Sequence, residues 1–458
     1  MYQPLEMDLR LAAALPNGAL FAVGGRVRDE LRASESGRRP RLKDLDYVVT
    51  GLSFSQVQER LSRIGRVDLV GASFAVFKVT ADGLTVDVAL PRRERSVGTG
   101  HRDFSVESGP EISLEDDLAR RDFRINMIAR ALPSGEIVDP FGGAADIAAR
   151  RIDILTPQTF EEDPLRMLRA AQFAARFGYT LSEPAFAAMC DAAHLVRTVS
   201  PERIGDEFTK MFVQAPKPSI GLELLRKTGI LAHIWPELLE GAGMEQNEWH
   251  AYDVYQHNLH TLDASPPGDL IARLSALLHD VGKSRTKDGP HFYRHEHVGA
   301  DMGRDMLTRL RFSNEVVDRV EHLIRQHMYS ADPGLSEAGI RRFVRRIGVR
   351  ELDFQFALRA ADIAGSGLPK RDDGNEAFQL RVYAEVARKP AFSIADLRIG
   401  GAEVMQRMVA LGAAPEGFRG DRRVGQALQY LFEQVTEQPG RNEPQTLTAL
   451  LDQYLGGS

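Results

Sequence analysis

The chain of 458 residues carries 58 Lys and Arg against 64 Asp and Glu, a formal net charge of −6. That balance does not exclude a nucleic-acid ligand, because the average conceals basic runs such as "RRPRLK" at 38–43 and "RRFVRRIGVR" at 341–350. No apolar stretch reaches the roughly 20 residues of a membrane span, the single Cys190 excludes an internal disulfide, and without a charged and apolar leader a cytoplasmic location is expected.

The length predicts about two to four domains. Over the first 150 residues "ALFAVGG", "DLDYVVTG", "FAVFKVT" and "LTVDVAL" read as short strands among helices, an α+β pattern. "VGGRVRD" (23–29) follows the first strand and opens a helix; at such a turn backbone N–H groups approach phosphates, and Arg28 adds a charged fork. In "KDLDYVVTG", Asp44 and Asp46 alternate with Leu45 and Tyr47, so on a strand both carboxylates share one face. Two such charges about 4 Å apart repel by roughly 4 kcal/mol at an effective dielectric of about 20, a cost that a divalent cation removes. A solvated strand end with turn-forming Asp is the alternative. Asp87 in "LTVDVAL" is either a third metal ligand or a salt-bridged strand acid. From about residue 155 the three- and four-residue spacing of helices takes over, in "PLRMLRAAQFAARFG", with Gly178 as its C-cap, and in "IGDEFTKMFVQA". Breaks richer in Gly, Pro and Ser fall at 265–269, 330–334 and 365–375.

Taken in order, "GGRVRD", "KDLDYVV", "ARRDFRINMIA" (119–129), "VDPFGGAADI" (138–147) and "EEDPLRMLRAAQFAARFGY" (161–179) resemble the motifs of the class II tRNA nucleotidyltransferase and poly(A) polymerase family across residues 18–212. The resemblance implies a polymerase-β-like α+β head followed by an all-α neck, body and tail. It implies that Asp44 and Asp46, with Asp87, hold Mg2+ between an incoming triphosphate and an RNA 3′-hydroxyl. It also implies that Gly24, Gly25, Arg28, Arg121 and Arg169 contact the nucleotide. Asp163 and Arg166, three residues apart on a predicted helix, would present an acceptor beside a donor, the complement of cytosine and adenine but not of uracil or guanine. A simple i,i+3 salt bridge between them is the alternative. Two departures stand out: Arg124 and Met127 occupy positions where the family usually has Thr and Ala, and Gln172 stands where a third arginine often follows Arg169.

A second set, "YQHNLHTL", "LLHDVGK", "FYRHEHVGA", "IRQHM" and "RAADIAG", is similar to the HD phosphohydrolase pattern of His, His-Asp, His, His and Asp, through His257, His279, Asp280, His295, His327 and Asp362. Imidazole and carboxylate donors suit Ni2+, Mn2+, Co2+, Fe2+ or Zn2+ better than a hard all-oxygen site, with Mg2+ still open. Lys283 is a candidate phosphate contact or a surface helix-end lysine.

These readings predict a nucleotidyltransferase head over 1–150, a helical neck and body for base selection and RNA binding over 151–250, an HD domain over 251–365 and a tRNA-contacting helical region over 366–458. The predicted activity is addition or repair of the 3′-terminal CCA of tRNA from CTP and ATP, joined to hydrolysis of phosphate esters or cyclic phosphates. A poly(A) polymerase or a specialised CC-adding or A-adding enzyme shares the motifs; a full-length loop in "PRRERSVGTGHRDFSVES" (91–108) leans away from CC addition alone. From a different class, an HD hydrolase with an accessory RNA-binding head fits the second set.

Overall fold

The computed structural model describes residues 2–35, 45–70, 76–96, 104–246, 249–369 and 374–456. It divides into two compact units, Met1–Leu239 with Arg309–Arg311, and Glu240–Thr308 with Phe312–Ser458. Among the described residues no helix is long and apolar enough to cross a membrane.

The first unit opens with α1 (Glu6–Ala14), β1 (Leu20–Val23), α2 (Gly25–Glu35), β2 (Asp46–Val49), α3 (Phe54–Leu61), β3 (Arg66–Val70), β4 (Val76–Ala81) and β5 (Leu84–Ala89). After the ribbon of β6 (Arg92–Ser96) and β7 (Phe104–Ser108) come α4 (Leu114–Ala119), β8 (Ala129–Ala131), β9 (Ile137–Val138) and α5 (Gly143–Ala148). The main sheet runs β3-β4-β5-β2-β1-β8-β9, with β2 and β5 parallel and its other pairs antiparallel. The four predicted strand runs are β1, β2, β4 and β5. β4 and β5 alternate in burial as a half-buried sheet does, with Phe77, Val79 and Val88 fully buried, whereas β1 and β2 are buried at successive positions, Val23 and Val48 packing on Leu118, Met127 and Ala129.

One buried carboxylate ties the edges of this head together. Asp8 on α1 accepts two bonds from Arg26, at 2.8 and 2.6 Å, and one each from Tyr47 at 2.6 Å, Tyr2 at 2.9 Å and the Leu5 N–H at 2.8 Å. Arg26 and Asp8 side chains are both fully buried, and α1 is thereby fixed to the helix after the glycine turn and to the strand of Asp46.

The helical part of this unit holds α6 (Thr159–Glu162), α7 (Leu165–Phe177), α8 (Glu183–Asp191), α9 (Pro201–Gln214), α10 (Ser219–Lys227), α11 (Leu231–Ile234) and α12 (Pro236–Leu239). Gly178 caps α7 in the left-handed conformation at φ 67°, as its sequence position predicts. Phe208, Phe212 and Trp235 stack in its core, with Phe208 and Trp235 centroids 4.6 Å apart.

The second unit is helical: α13 (Val254–Ala264), α14 (Leu270–Leu278), α15 (His295–Arg309), α16 (Asn314–Gln326), α17 (Glu337–Ile347), α18 (Leu352–Gly365), then α19 (Asn375–Ala387), α20 (Gly401–Ala410), α21 (Arg422–Glu437) and α22 (Pro444–Gly456). Most of the basic run 341–350 is paired within the unit. Arg341, buried, bonds Glu385 at 2.5 Å, and Arg342, Arg345 and Arg350 pair with Glu437, Glu433 and Glu315. The other run quoted, "RRPRLK" at 38–43, lies outside the described residues.

Candidate active sites

In the head, the phosphate turn is built as its glycines suggest. Gly24 adopts φ +67°, a conformation that costs other residues about 1–2 kcal/mol, and a Cβ there would lie 2.7 Å from Nη1 of Arg121. The turn leads directly into α2, and Arg121 crosses it. Arg121 is anchored through one nitrogen to Asp117 at 2.9 Å, while its buried Nε–H has no hydrogen-bond partner. An unspent guanidinium N–H beside a glycine turn suits an oxyanion. Burial by itself would push the Asp117 carboxyl up; Arg121 and Arg120 outweigh it and hold it below the usual carboxylate range.

Asp46 begins β2 and stands in register with Asp87 on the neighbouring parallel strand β5, which in turn faces Lys78 on β4. Asp44 lies outside the described residues. Lys78 Nζ is 2.9 Å from Asp87 Oδ1, so the salt-bridged reading of Asp87 is realised. Its place beside Asp46 also makes it an available donor: two strand carboxylates side by side form the all-oxygen set that a hard cation takes.

Arg28 is built differently from an exposed phosphate fork. Its side chain is 6% exposed, bonded to Asp29 at 2.9 and 3.0 Å and to Asn126 at 2.7 Å. Asn126 in turn donates to Asp122 at 2.7 Å, and Asp122 receives Arg169 through two bonds of 2.8 and 2.7 Å. Asp122 and Asn126, four residues apart inside "RRDFRIN", thus couple α2 to α7. Neither was singled out from the sequence: Asp122 lies in a bend before the extended Phe123 and only Asn126 is in the short turn that follows, so no helical spacing marks the pair. The departures are absorbed by structure: Met127 is fully buried in the sheet core, Arg124 reaches the Ile154 carbonyl and Asp153, and Gln172 is buried on α7.

Asp163 does not share a helix with Arg166. Pro164 disfavours helical backbone in the residue before it, and Asp163 adopts φ −140°, ψ 95° as the C-cap of α6. Its Oδ1 accepts the Leu165 N–H at 3.2 Å and its carboxylate pairs with Arg203 at 3.2 Å. Arg166 bonds Glu162 at 3.0 Å and the Thr159 and Arg120 carbonyls. The i,i+3 salt bridge is therefore not the arrangement these two side chains adopt.

The six HD positions converge. His257 lies on α13, His279 caps α14, His295 opens α15, His327 caps α16 and Asp362 lies on α18. Each imidazole directs Nδ1 to a backbone carbonyl, of Gly365, Ala276, Phe292 and Ile324 respectively, at 2.7–3.2 Å. A carbonyl only accepts, so Nδ1 carries the proton and each Nε2 presents a lone pair inward. The Nε2 atoms of His257 and His279 then face each other at 3.2 Å, as do those of His295 and His327. Opposed lone pairs repel unless a cation lies between, so this donor set fits metal ions. Asp280 joins the two pairs: Oδ2 is 3.4 and 3.2 Å from His257 and His279, and Oδ1 is 3.3 and 3.7 Å from His295 and His327. Asp362 adds an oxygen 3.1 Å from His257.

Lys283 is no surface lysine. It is 8% exposed, 2.5 Å from Asp280 and 2.7 Å from Gln246. The turn that delivers Asp280 and Lys283 needs Gly282: a Cβ there would sit 2.3 Å from the His295 carbonyl and 2.4 Å from the Gly299 nitrogen. His250, which sequence reading passed over, meets the His257 ring edge-on at 4.6 Å and can join His257 and Asp362.

The chain matches the poly A polymerase head domain over residues 20–153, the "probable RNA and SrmB-binding site of polymerase A" over 178–241 and the HD domain over 256–363. The multifunctional CCA protein of Cupriavidus necator is 33% identical over 384 residues, covering 81% of this chain and 89% of that protein. That of Azoarcus sp. is 33% identical over 410 residues, covering 86% and 95%. The crystal structure of the Bacillus stearothermophilus CCA-adding enzyme in complex with CTP shares the fold, with a TM-score of 0.67 at 23% identity over 96% of this chain and 93% of its own. With the glycine turn, the paired strand carboxylates and the six HD ligands in place, the chain belongs to the class II tRNA nucleotidyltransferase and poly(A) polymerase family and joins that family's head to an HD domain.

Proposed function

We propose that this nucleotidyltransferase adds or repairs the 3′-terminal CCA of tRNA from CTP and ATP without a nucleic-acid template, and that its HD domain hydrolyses phosphate esters or cyclic phosphates. The observation that carries the first reading is the register of Asp46 against Asp87 beside the Gly24 turn. Asp44, Asp46 and Asp87 would hold Mg2+, which when bound supplies charge neutralisation at the triphosphate and a lowered pKa at the RNA 3′-hydroxyl. The Gly24–Gly25 turn and the start of α2 offer backbone N–H groups to the triphosphate. Arg121 adds its spare Nε–H, and Arg28 and Arg169, locked through Asn126 and Asp122, set the distance between α2 and α7. The 3′-oxygen bonds the α-phosphorus, pyrophosphate leaves, and the hydroxyl proton passes to solvent.

Asp163 and Arg166 remain our candidates for base selection from their places at the α6–α7 break. The Asp163–Arg203 pair is partly exposed and worth about 0–1 kcal/mol, so an exocyclic amino group can replace Arg203 at little cost. Uracil and guanine would set acceptor against acceptor, at about 1 to 3 kcal/mol for each unpaired group.

In the second unit His257, His279, Asp280, His295, His327 and Asp362 would hold a transition metal (Ni2+, Mn2+, Co2+, Fe2+ or Zn2+) or Mg2+, which supplies Lewis-acid activation of water and phosphate. Lys283 neutralises phosphate charge from beside Asp280. Water adds its oxygen to phosphorus, the P–O bond to the ribose breaks, and the ribose oxygen leaves with the proton. We assign the chain's division accordingly: head to 150, neck and body to 250, HD domain to 365, and a tail that with the body contacts tRNA.

Labelled CTP, ATP, UTP and GTP offered with tRNAs ending at the discriminator base, C or CC test the first reading. CCA completion by CTP and ATP alone is expected. Untemplated long A tails, or CC without A, would instead identify one of the specialised enzymes.

A further inference from the structure

Arg203 holds the place at Asp163 that a base would take. The Leu165 N–H engages Oδ1 of that carboxylate, and Arg203 Nη2 lies 3.2 Å from Oδ2 against 3.5 Å from Oδ1. A guanidinium N–H is a donor on planar nitrogen, as is the exocyclic amino group of cytosine or adenine. Among the described residues Asp163 is the one polar partner of the Arg203 side chain, so a nucleotide that claims this carboxylate leaves the guanidinium without one. At 46% exposure the arginine has room to turn.

The next turn of α9 offers it a second seat. Glu207 stands four residues on, on the same helix face, with its side chain 4% exposed. Its Oε1 receives Lys210 at 2.7 Å and lies 4.0 Å from Arg169 on α7, whereas the buried Oε2 has no hydrogen-bond partner. A carboxylate oxygen kept buried and unpaired is costly unless another state of the protein fills it.

We infer that Arg203 is a positioning residue with two seats: it occupies Asp163 in the empty site as a stand-in for the base amino group, and it turns to Oε2 of Glu207 when CTP or ATP binds. The inference deepens the base-selection reading and rests on it. Asp163 then has a donor in both states, and the arginine displaced by an amino group finds a carboxylate one turn away. A base that presents a carbonyl cannot replace the guanidinium. Arg203 and Glu207 therefore set the affinity for the two accepted nucleotides, while the choice among four stays with Asp163 and Arg166.

A double-mutant cycle on the full-length protein tests this, with KM and kcat measured for CTP on tRNA ending at the discriminator base and for ATP on tRNA ending in CC. Glu207→Met should raise both KM values about threefold and keep kcat, the factor a partly exposed ion pair is worth. Arg203→Met should give KM values equal to wild type or lower and retain the preference over UTP and GTP. The double variant should match Arg203→Met alone, because no guanidinium is left to reseat; that rescue also separates the effect from misfolding. An unchanged KM in Glu207→Met, or a raised KM that persists in the double variant and so traces to Arg169 or Lys210, overturns the inference. Asp163→Ala tells the two failures apart. If it keeps wild-type selectivity, the base-selection reading falls and the inference with it; if it loses selectivity while the cycle is additive, the inference falls alone.

Discussion

Replacing Asp122 by Ala should damage the nucleotidyltransferase site from behind without touching a nucleotide-contacting atom. The carboxylate receives two bonds from Arg169, one from the Asn126 amide and one from the Phe123 N–H at 2.9 Å. Its removal leaves three groups short of a partner. Breaking a buried ion pair from one side costs roughly 3–5 kcal/mol; Arg169 is 35% exposed, so water reaches it and the lower end, about 3 kcal/mol, applies. For a unit of this size that is a fall of roughly 6–12 °C in the midpoint of its unfolding transition. Because Asn126 also holds Arg28, the KM for CTP should rise with the loss of stability. Calorimetry resolving the two units, with CTP addition measured well below the lowered midpoint, is the assay. The pH dependence follows from the same contacts. Burial alone would raise the Asp122 carboxyl, but Arg169 and Asn126 hold it below the usual range; its stabilisation is therefore complete above the unfolded value of about 3.9 and is lost as pH falls through the lower folded value. The difference between wild type and Asp122→Ala should narrow only in that acid range. A midpoint shift under about 2 °C at neutral pH would refute the coupling of α2 to α7 through this carboxylate.

Asp46→Ala should abolish nucleotide addition while the head keeps its unfolding midpoint, since one of a set of neighbouring carboxylates is removed; near-normal addition would sink the metal assignment. Asp280→Asn should deplete bound metal at both histidine pairs, whereas Asp362→Asn should spare the His295–His327 side; elemental analysis of the purified proteins that found equal metal in the two would contradict the bridging role. Gly282→Ala should lower metal content and cyclic-phosphate hydrolysis together, because the added Cβ meets backbone at 2.3 Å, while CTP addition remains. Asp163→Ala or Arg166→Ala should lose preference for CTP and ATP over UTP and GTP by more than it loses stability, and unchanged selectivity in both would move base choice to other groups.

The order of the strands in the sheet could not be anticipated, but β1, β2, β4 and β5 themselves could, from short apolar runs rich in β-branched residues with glycine punctuation. So could the HD ligands, whose residue types are restricted by metal chemistry. Other features depend on what arrives from distant sequence. The arginines of 341–350 read as an open basic patch, and only acids of α19, α21 and α16 turn Arg341, Arg342, Arg345 and Arg350 into ion pairs. Lys283 reads equally as a phosphate contact or a surface lysine until Gln246 and Asp280 enclose it. The helix break at Asp163 has a local mark, because the proline that follows it disfavours helical backbone there. Arg28, by contrast, carries no local mark that Asn126, almost a hundred residues on, will take up its guanidinium.

The Asp8 knot makes the first fourteen residues part of the catalytic apparatus for anyone who trims or extends this chain. A truncation that starts at the first strand would leave Arg26 a buried cation with only Glu30 and the Tyr47 hydroxyl for company, and would unfasten the helix behind the phosphate turn and the strand of Asp46 in one cut. Such a deletion should behave as an active-site lesion and not as the loss of a frayed end. An appended tag, which leaves Asp8 and its donors in place, should be tolerated.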